Sequence, residues 1–207
     1  MKSGTRATHW NKVYADKAET EVSWFQDRPS PSLDLIEEIG PKPSSAIVDV
    51  GGGASRLVDA LLRAGLTDIT VLDISSTALA AARKRLGDKA SSVKWITADA
   101  TEWEPQRLYD VWHDRAAFHF LINPNDQTAY LERLRSGVKQ GGHVIIGTFA
   151  LDGPEKCSGL PVARQSAQSL SALLGHEFIL VDSRRDAHRT PWKTVQDFQF
   201  SLYRRAG

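Results

Sequence analysis

The sequence predicts an α/β protein whose seven-stranded, doubly wound sheet is mostly parallel and ends in an antiparallel hairpin. From residue 46 to residue 150, short β-branched runs alternate with helical patterns, which is typical of parallel βαβ units. Near the C-terminus, the runs 176–189 and 195–205 are joined by a link too short for a crossover helix, so they should pair antiparallel. The predicted architecture is therefore Rossmann-like, with five parallel strands followed by a hairpin.

The individual elements follow from apolar periodicity and from glycine, proline and capping residues at their ends. The predicted parallel strands are 46–50, 68–75, 92–100, 108–118 and 143–150. The predicted helices are 55–65, 76–87, 126–136 and 163–175. The polar run 139–142 reads as a turn, and the glycine- and proline-rich run 151–161 reads as a loop.

Composition narrows the class of protein. The chain has 207 residues, 41% of them hydrophobic, which suits one globular domain. Its formal net charge of +1 gives no field that would attract nucleic acid or an anionic membrane. Cys157 is the only cysteine, so neither an internal disulfide nor a cysteine-based metal site is expected. The N-terminus is polar and no apolar run could span a bilayer. We therefore expect a cytoplasmic protein that acts on a small molecule.

The first forty residues combine charge with aromatic side chains, among them Trp10, Tyr14 and Trp24. Aromatic side chains in so polar a segment are expected to pack against another part of the protein. The segment could be a helix packed on the outside of the sheet or a lid over the strand ends, and the pattern alone does not decide between them. We expect residues 1–40 to form a helical segment beside a core of residues 41–207.

The run "IVDVGGGASRL", residues 47–57, reads as a strand, a glycine turn and a helix start, which together form a nucleotide cradle. A dinucleotide fingerprint has a glycine at its sixth position for close packing of helix on strand, and here that position is Arg56. Asp49 precedes Gly51 by two residues, and a carboxylate there suits an ammonium group better than a phosphate. The loop therefore argues against a pyrophosphate.

Two further acids follow the next predicted strands. Asp73 lies 22 residues after Gly51, where a carboxylate can accept hydrogen bonds from ribose hydroxyls. Asp99 lies within reach of an adenine amino group if the third strand ends beside the second. With Asp49, these acids describe a ligand that has an amino-acid head, a ribose and an adenine, with no pyrophosphate.

The motifs "IVDVGGGAS", "LDIS", "ADA" and "YDVWHDRAAFHFL", in this order, resemble those of class I S-adenosylmethionine-dependent methyltransferases. More loosely, "HDRAAFHFLINPNDQTAYLERL" and the aromatic N-terminal run resemble the thiopurine methyltransferase-like subfamily. The chain departs from that subfamily at Asp73, Phe118 and His119, so thiopurines themselves are not implied.

The resemblance implies S-adenosylmethionine as cofactor and favours the lid interpretation of the N-terminal segment. The residues that it implies for cofactor binding are Trp10, Tyr14, Trp24, Asp49, Gly51, Gly53, Asp73, Ile74, Asp99, Ala100 and Asp114.

Two residues, one near the end of the fourth strand and one directly after it, are candidates for catalysis. Arg115 could orient an anionic acceptor, and His119, four residues further on, could remove a proton if it shares a helical face with Arg115. Alternatively, Asp114 and Arg115 could form an ordinary ion pair, and His113 could be a structural histidine in a buried strand.

The expected activity is methyl transfer to a small acceptor, which could be a thiol, another heteroatom nucleophile or a metalloid. Protein lysine methylation is the main alternative, so a protein substrate stays open. An NAD-dependent oxidoreductase is disfavoured by Asp49 and Arg56. A non-catalytic module that binds the cofactor is a further alternative. The sequence gives neither the acceptor atom nor the oligomeric state.

Overall fold

The structure is a computed structural model that describes residues 3–207, so the first two residues of the predicted 1–40 segment lie outside it. Helices in this range are α1 (Ser3–Asp16), α2 (Ser32–Ile39), α3 (Leu57–Arg63), α4 (Ser76–Leu86), α5 (Pro124–Gly137) and α6 (Ala167–Leu174). The strands are β1 (Ala46–Val50), β2 (Asp68–Asp73), β3 (Val93–Thr97), β4 (Tyr109–Arg115), β5 (Val138–Phe149), β6 (Lys156–Cys157), β7 (Leu160–Pro161), β8 (Phe178–Arg189) and β9 (Val195–Arg205). Short 3₁₀ helices cover Glu19–Glu21, Gly87–Ser92 and Phe118–Phe120.

The seven-stranded sheet of residues 3–207 has the order β3-β2-β1-β4-β5-β9-β8. The first five strands run parallel, and β9 pairs antiparallel with both β5 and β8. The predicted fold class and the C-terminal hairpin are confirmed. Because strand order reverses between β1 and β4, a crevice opens at the carboxyl ends of these strands, which is where such sheets bind ligands.

Apolar side chains cover both faces of the sheet. On one face, α2 and α3 pack leucine and isoleucine side chains against β1, β5 and β9. On the other face, α5 and α6 pack against a cluster built around Trp112, whose indole Nε1 donates a hydrogen bond to the hydroxyl of Tyr130. Since β1 and β4 are covered on both sides, their ends are held rigidly at the crevice.

Several boundaries differ from the sequence prediction: β3 ends at Thr97 and β4 at Arg115, each three residues earlier than expected, and α6 begins at Ala167, four residues later. β5 begins at Val138, five residues earlier than expected, because Val138 pairs with Tyr109 before the register shifts. The predicted turn 139–142 is therefore part of the strand, and Gly141 adopts a positive φ of 73° within it. The predicted loop 151–161 contains the two-residue strands β6 and β7.

The first part of the N-terminal segment, residues 3–26, runs across the carboxyl ends of the strands and is attached by polar contacts, whereas α2 packs on one face of the sheet. Asn11 Oδ1 accepts hydrogen bonds from Ser75 Oγ and the Thr77 backbone N–H at the start of α4. Glu19 accepts hydrogen bonds from Arg56 and Arg85. Arg56 also pairs with Asp27. The arginine that breaks the dinucleotide fingerprint thus fastens this segment to the glycine loop.

Replacement of Glu19 by Gln should loosen the N-terminal segment. Burial raises the pKa of Glu19, but hydrogen bonds from Arg56 and Arg85 outweigh burial and lower that pKa overall. The stabilisation is therefore present above the unfolded pKa of about 4.3 and is lost as pH falls through the lower folded pKa. At pH 7, Glu19→Gln should accelerate amide hydrogen exchange in residues 3–26, while the free energy of unfolding falls by about 1 kcal/mol or less.

Asp16→Asn is the matched control, because the Lys12–Asp16 pair on α1 is exposed and its 3.9 Å separation marks a weak contact. This variant should exchange like the parent protein. Equal exchange in Glu19→Gln and the parent would show that Glu19 does not hold the segment.

Candidate active site

A cavity of about 800 Å³, counting its open mouth, lies at the switch point between β1 and β4. The N-terminal segment, the ends of β1 to β4 and the loop that carries Cys157 enclose it. Its lining includes nine of the predicted site residues, namely Trp10, Tyr14, Trp24, Gly51, Asp73, Ile74, Asp99, Ala100 and Arg115. The structure therefore brings most of the predicted site together at one place.

The glycine loop after β1 lies so close to its neighbours that side chains are excluded. A Cβ on Gly51, which has a φ of 70°, would lie 2.4 Å from the Cβ of Ala117. At Gly53, with a φ of 45°, it would lie 2.9 Å from Asp73 Oδ2. Gly53 does not line the cavity, but its lack of a side chain lets the loop approach β2.

Asp73 ends β2 and is buried against the cavity. Its carboxylate accepts a 2.7 Å hydrogen bond from the Ser75 backbone N–H. Burial, reinforced by the nearby charge of Asp49, raises the pKa of Asp73 to about 7, although backbone N–H donors from Ser75 and Gly53 favour the ionised form. These two donors do not offset the cost of burying the ionised carboxylate. It could therefore accept further hydrogen bonds from the hydroxyl groups of a ribose.

Asp99, after β3, is also buried, but its carboxylate is already engaged. Oδ1 accepts hydrogen bonds from the backbone N–H and the hydroxyl of Thr101. Oδ2 lies 2.8 Å from Arg6 Nη2, at ion-pair distance without hydrogen-bond geometry. Arg6 also pairs with Asp126 of α5. The predicted contact between Asp99 and an adenine amino group would share this carboxylate with Arg6.

Asp49 borders a second, smaller cavity beside the first. Both cavities share Tyr14, Trp24, Gly51 and Arg115 in their walls. Asp49 is buried, and its Oδ1 lies 2.7 Å from Nδ1 of His113. The predicted acid of the glycine loop is thus present at the site, but in partnership with a histidine.

The aromatic residues of the N-terminal segment close the larger cavity from above. Trp10 lies edge-on to Trp24 and to Phe120, with ring centroids 5.7 and 4.8 Å apart. Trp24 Nε1 donates a 3.2 Å hydrogen bond to the hydroxyl of Tyr14. These aromatic residues therefore lie over the strand ends, whereas α2 of the same segment packs on one face of the sheet.

Arg115, the last residue of β4, lies in the walls of both cavities. Its Nη1 donates a hydrogen bond to the Trp24 carbonyl, and the guanidinium lies 4.6 Å from the ring centroid of Phe198. Its Nε and Nη2 are buried and have no hydrogen-bond partner among residues 3–207. Burial lowers the pKa of Arg115 to about 10, so the group stays cationic at neutral pH.

Asp114 is placed away from the cavity, contrary to the prediction that it binds cofactor. Its side chain lies on the opposite face of β4. There the carboxylate accepts hydrogen bonds from the Ala117 and Phe118 backbone N–H groups and from the Tyr130 hydroxyl. Burial raises the pKa of Asp114 to about 6. This residue holds the turn after β4, and it does not form the ion pair with Arg115 that was the alternative.

His119 is likewise placed outside the cavity lining. Arg115 belongs to a strand and His119 to a 3₁₀ helix, so the helical spacing that would put them on one face does not exist. The ring is fully buried against Phe120 and Phe149, and neither nitrogen has a partner in the described part of the chain. Burial and the charge of Arg115 lower its pKa to about 3, which makes it a weak base.

Sequence reasoning missed several residues of the cavity wall. Arg6 stands in a polar helix with no motif around it, and its position follows only from the way α1 crosses the sheet. Phe120, Leu121 and Tyr130 also line the cavity, as does Cys157, whose thiol pKa burial raises to about 11. A thiol with that pKa is neutral at pH 7 and is a poor nucleophile.

Among residues 3–207, no helix is long and apolar enough to cross a membrane. No group of three or more His, Cys, Asp or Glu side chains in the same range could hold a metal ion.

This sheet order, with acids near the ends of β1, β2 and β3 and a glycine loop after β1, is the arrangement that the resemblance to class I S-adenosylmethionine-dependent methyltransferases implied. Residues 47–142 match the family described as "Methyltransferase domain". The cofactor of this class is S-adenosylmethionine.

Relatives in sequence agree with this class. Malonyl-[acyl-carrier protein] O-methyltransferase of Anoxybacillus flavithermus is 30% identical over 108 residues, 52% of this chain and 40% of the relative. Trans-aconitate 2-methyltransferase of Afipia carboxidovorans is 27% identical over 190 residues, 86% of this chain and 72% of the relative. The chain thus spans less than half the length of the first of these relatives.

Solved structures show the same fold. Magnesium protoporphyrin IX methyltransferase from Synechocystis, solved with bound S-adenosylhomocysteine, matches with a TM-score of 0.74 and 14% identity over 99% of each chain. A methyltransferase from Anabaena variabilis matches with a TM-score of 0.77 and 13% identity over 98% of this chain and 94% of that chain.

The pKa of Asp73 predicts a pH dependence of cofactor binding. A hydroxyl donates better to an ionised carboxylate, so affinity for S-adenosylmethionine should rise between pH 6 and 8 as Asp73 loses its proton. Asp73→Asn should weaken binding by roughly 1–3 kcal/mol and remove that part of the slope. Calorimetry from pH 6 to 8 measures both. Because the cofactor's own amino group also titrates, the difference between variant and parent is the decisive quantity, and identical slopes would exclude Asp73.

Proposed function

We propose that the protein transfers the methyl group of S-adenosylmethionine to a small acceptor whose anionic group is held by Arg115. The observation that carries this proposal is the buried guanidinium in the cavity wall, with Nε and Nη2 unpartnered among residues 3–207. A buried charge without a partner is costly, and an anionic ligand would offset that cost. Arg115 is also the last residue of β4, beside the strand ends that would hold the cofactor.

The proposed cofactor site combines the remaining predicted residues. Asp73 would accept the ribose hydroxyls, and Ile74, Asp99 and Ala100 would surround the adenine. Gly51 and Gly53 would let the backbone approach the amino-acid moiety, with Asp49 as the partner of its ammonium group. Two observations support this assignment. The glycines lie in close contact with their neighbours, and burial raises the pKa of the Asp73 carboxyl group.

The chemistry requires positioning and exclusion of water more than it requires a base. S-adenosylmethionine, when bound, supplies a methyl group on a sulphonium, which is already activated for transfer. Arg115 would orient the acceptor and neutralise its charge as water is removed, while Trp10, Tyr14 and Trp24 would seal the cavity. The neutral, buried ring of His119 does not support the predicted role as general base.

Names of relatives agree with an anionic acceptor. Trans-aconitate and the malonyl group, which two relatives are named for, both carry carboxylates. Another relative is named a tRNA U34 carboxymethyltransferase, and a Drosophila relative an eEF1A lysine and N-terminal methyltransferase homolog. A lysine acceptor offers no anionic group to Arg115 Nε and Nη2, so protein methylation stays the alternative to this proposal. The looser resemblance to the thiopurine methyltransferase-like subfamily stays a prediction.

The acceptor class is tested with methyl-labelled cofactor and purified protein. Small carboxylates, thiols, phenols, amines, and chalcogen and arsenic oxyanions are offered singly, and a cell extract is offered in parallel. We expect transfer to a small anionic acceptor. Label found only on a protein band or on RNA would overturn the small-molecule proposal.

Replacement of Arg115 then tests its role with the acceptor found. Arg115→Gln should lower kcat/KM for the acceptor by about 10- to 150-fold, the loss of a charged hydrogen bond, and change the Kd of S-adenosylmethionine much less. Arg115→Lys keeps the charge and should retain part of the activity. Steady-state kinetics and calorimetry separate the two effects. Equal losses of cofactor binding and turnover would instead make Arg115 a cofactor ligand or a structural residue.

A further inference from the structure

A chain of hydrogen bonds links α2 to the glycine loop through the interior of the protein. His113 Nδ1 lies 2.7 Å from Asp49 Oδ1, and His113 Nε2 lies 2.8 Å from Ser32 Oγ. The exposed fractions of Ser32, Asp49 and His113 are 1%, 2% and 3%. His113 and Asp49 are directly paired across β1 and β4, so the strand register itself places the two side chains together.

The three residues resemble a serine nucleophile with its base and acid, but Ser32 is not placed for attack. Its hydroxyl is buried and already bonded to the histidine. An ionised carboxylate can only accept, so Nδ1 of His113 must donate to Asp49. The chain therefore orients Asp49, and the serine anchors the ring from the other side.

Fold stability alone does not explain these polar groups. A buried ionic or polar pair is often no more stabilising than apolar residues of similar volume, and the surrounding side chains of this face are apolar. Asp49 Oδ2 instead faces the glycine loop, because a Cβ on Gly52 would lie only 2.5 Å from that oxygen. The second cavity, lined by Asp49, His113, Ser32 and Arg115, adjoins the loop at this point.

The charges around Asp49 make its orientation matter. Asp73 and Arg115 interact electrostatically with Asp49, and His113 interacts with Asp114 on the other face of β4. Two carboxylates at neighbouring strand ends leave a position that favours a cation, provided that the Asp49 carboxylate is held toward the cavity.

We propose that His113, anchored by Ser32, is a positioning residue that holds the carboxylate of Asp49 against the glycine loop, where it receives the ammonium group of the cofactor's amino-acid moiety. This inference rests on the proposed function. It predicts that removing the ring weakens only ligands that carry that ammonium group.

Two adenosyl ligands and four single variants test this. S-adenosylhomocysteine carries the amino-acid moiety, whereas 5′-methylthioadenosine lacks it. His113→Leu removes both hydrogen bonds, His113→Asn keeps a donor for Asp49, and Ser32→Ala leaves the ring unanchored. Tyr109→Phe is the matched control, because it removes a buried hydrogen bond to Thr70 at the far end of β4.

In calorimetry, His113→Leu should weaken the binding of S-adenosylhomocysteine about tenfold or more. The Kd of 5′-methylthioadenosine should stay within about twofold of the parent value. His113→Asn should recover most of the lost affinity, and Ser32→Ala should give a smaller loss of the same kind. Tyr109→Phe should change neither ligand. In the Asp49→Asn background, His113→Leu should cost almost nothing more, because it acts through Asp49.

Equal weakening of both ligands, or no weakening of either, would overturn the positioning role. If His113→Leu does not fold, Ser32→Ala and His113→Asn decide the question by the same comparison of ligands. Failure of the parent protein to bind either ligand would instead contradict the proposed function, so the two failures are distinguishable.

Discussion

The convergence of three buried carboxylates at adjacent strand ends is the constraint on which the rest of this site depends. Burial of a carboxylate is costly unless donors surround it. Asp49 has His113, Asp73 has backbone N–H groups, and Asp99 has Thr101 and Arg6. Burial nevertheless raises the pKa of Asp73 to about 7. A ligand with hydroxyl and ammonium groups would supply further hydrogen-bond donors to these carboxylates.

The N-terminal segment is attached close to the same carboxylates. Arg6 reaches Asp99, Asn11 reaches the start of α4 just after Asp73, and Glu19 reaches Arg56 beside the glycine loop. Each attachment lies next to a part of the proposed cofactor site. The segment that closes the cavity is thus attached beside the places that a ligand would occupy. We therefore expect closure of the cavity and binding of the ligand to be coupled.

Most of the fold follows from the sequence, because the alternation of apolar strands and amphipathic helices is a local pattern. The start of β5 at Val138 does not, since it depends on pairing with Tyr109. The acids at the strand ends can also be predicted from the sequence. The structure places Asp73, Asp99 and Arg115 together in the wall of one cavity. Arg6 could not be predicted, because its place depends on the path of α1. The resemblance implied Asp114 at the site and a helical spacing suggested His119, whereas Asp114 lies on the opposite face of β4 and His119 lies in the 3₁₀ helix that follows the strand.

If the strand ends form a site for S-adenosylmethionine and not for a dinucleotide, the purified chain should distinguish these ligands in calorimetry. We expect saturable binding of S-adenosylmethionine and of S-adenosylhomocysteine at one site per chain, with no heat of binding from NAD. Saturable binding of NAD without binding of S-adenosylmethionine would contradict this expectation.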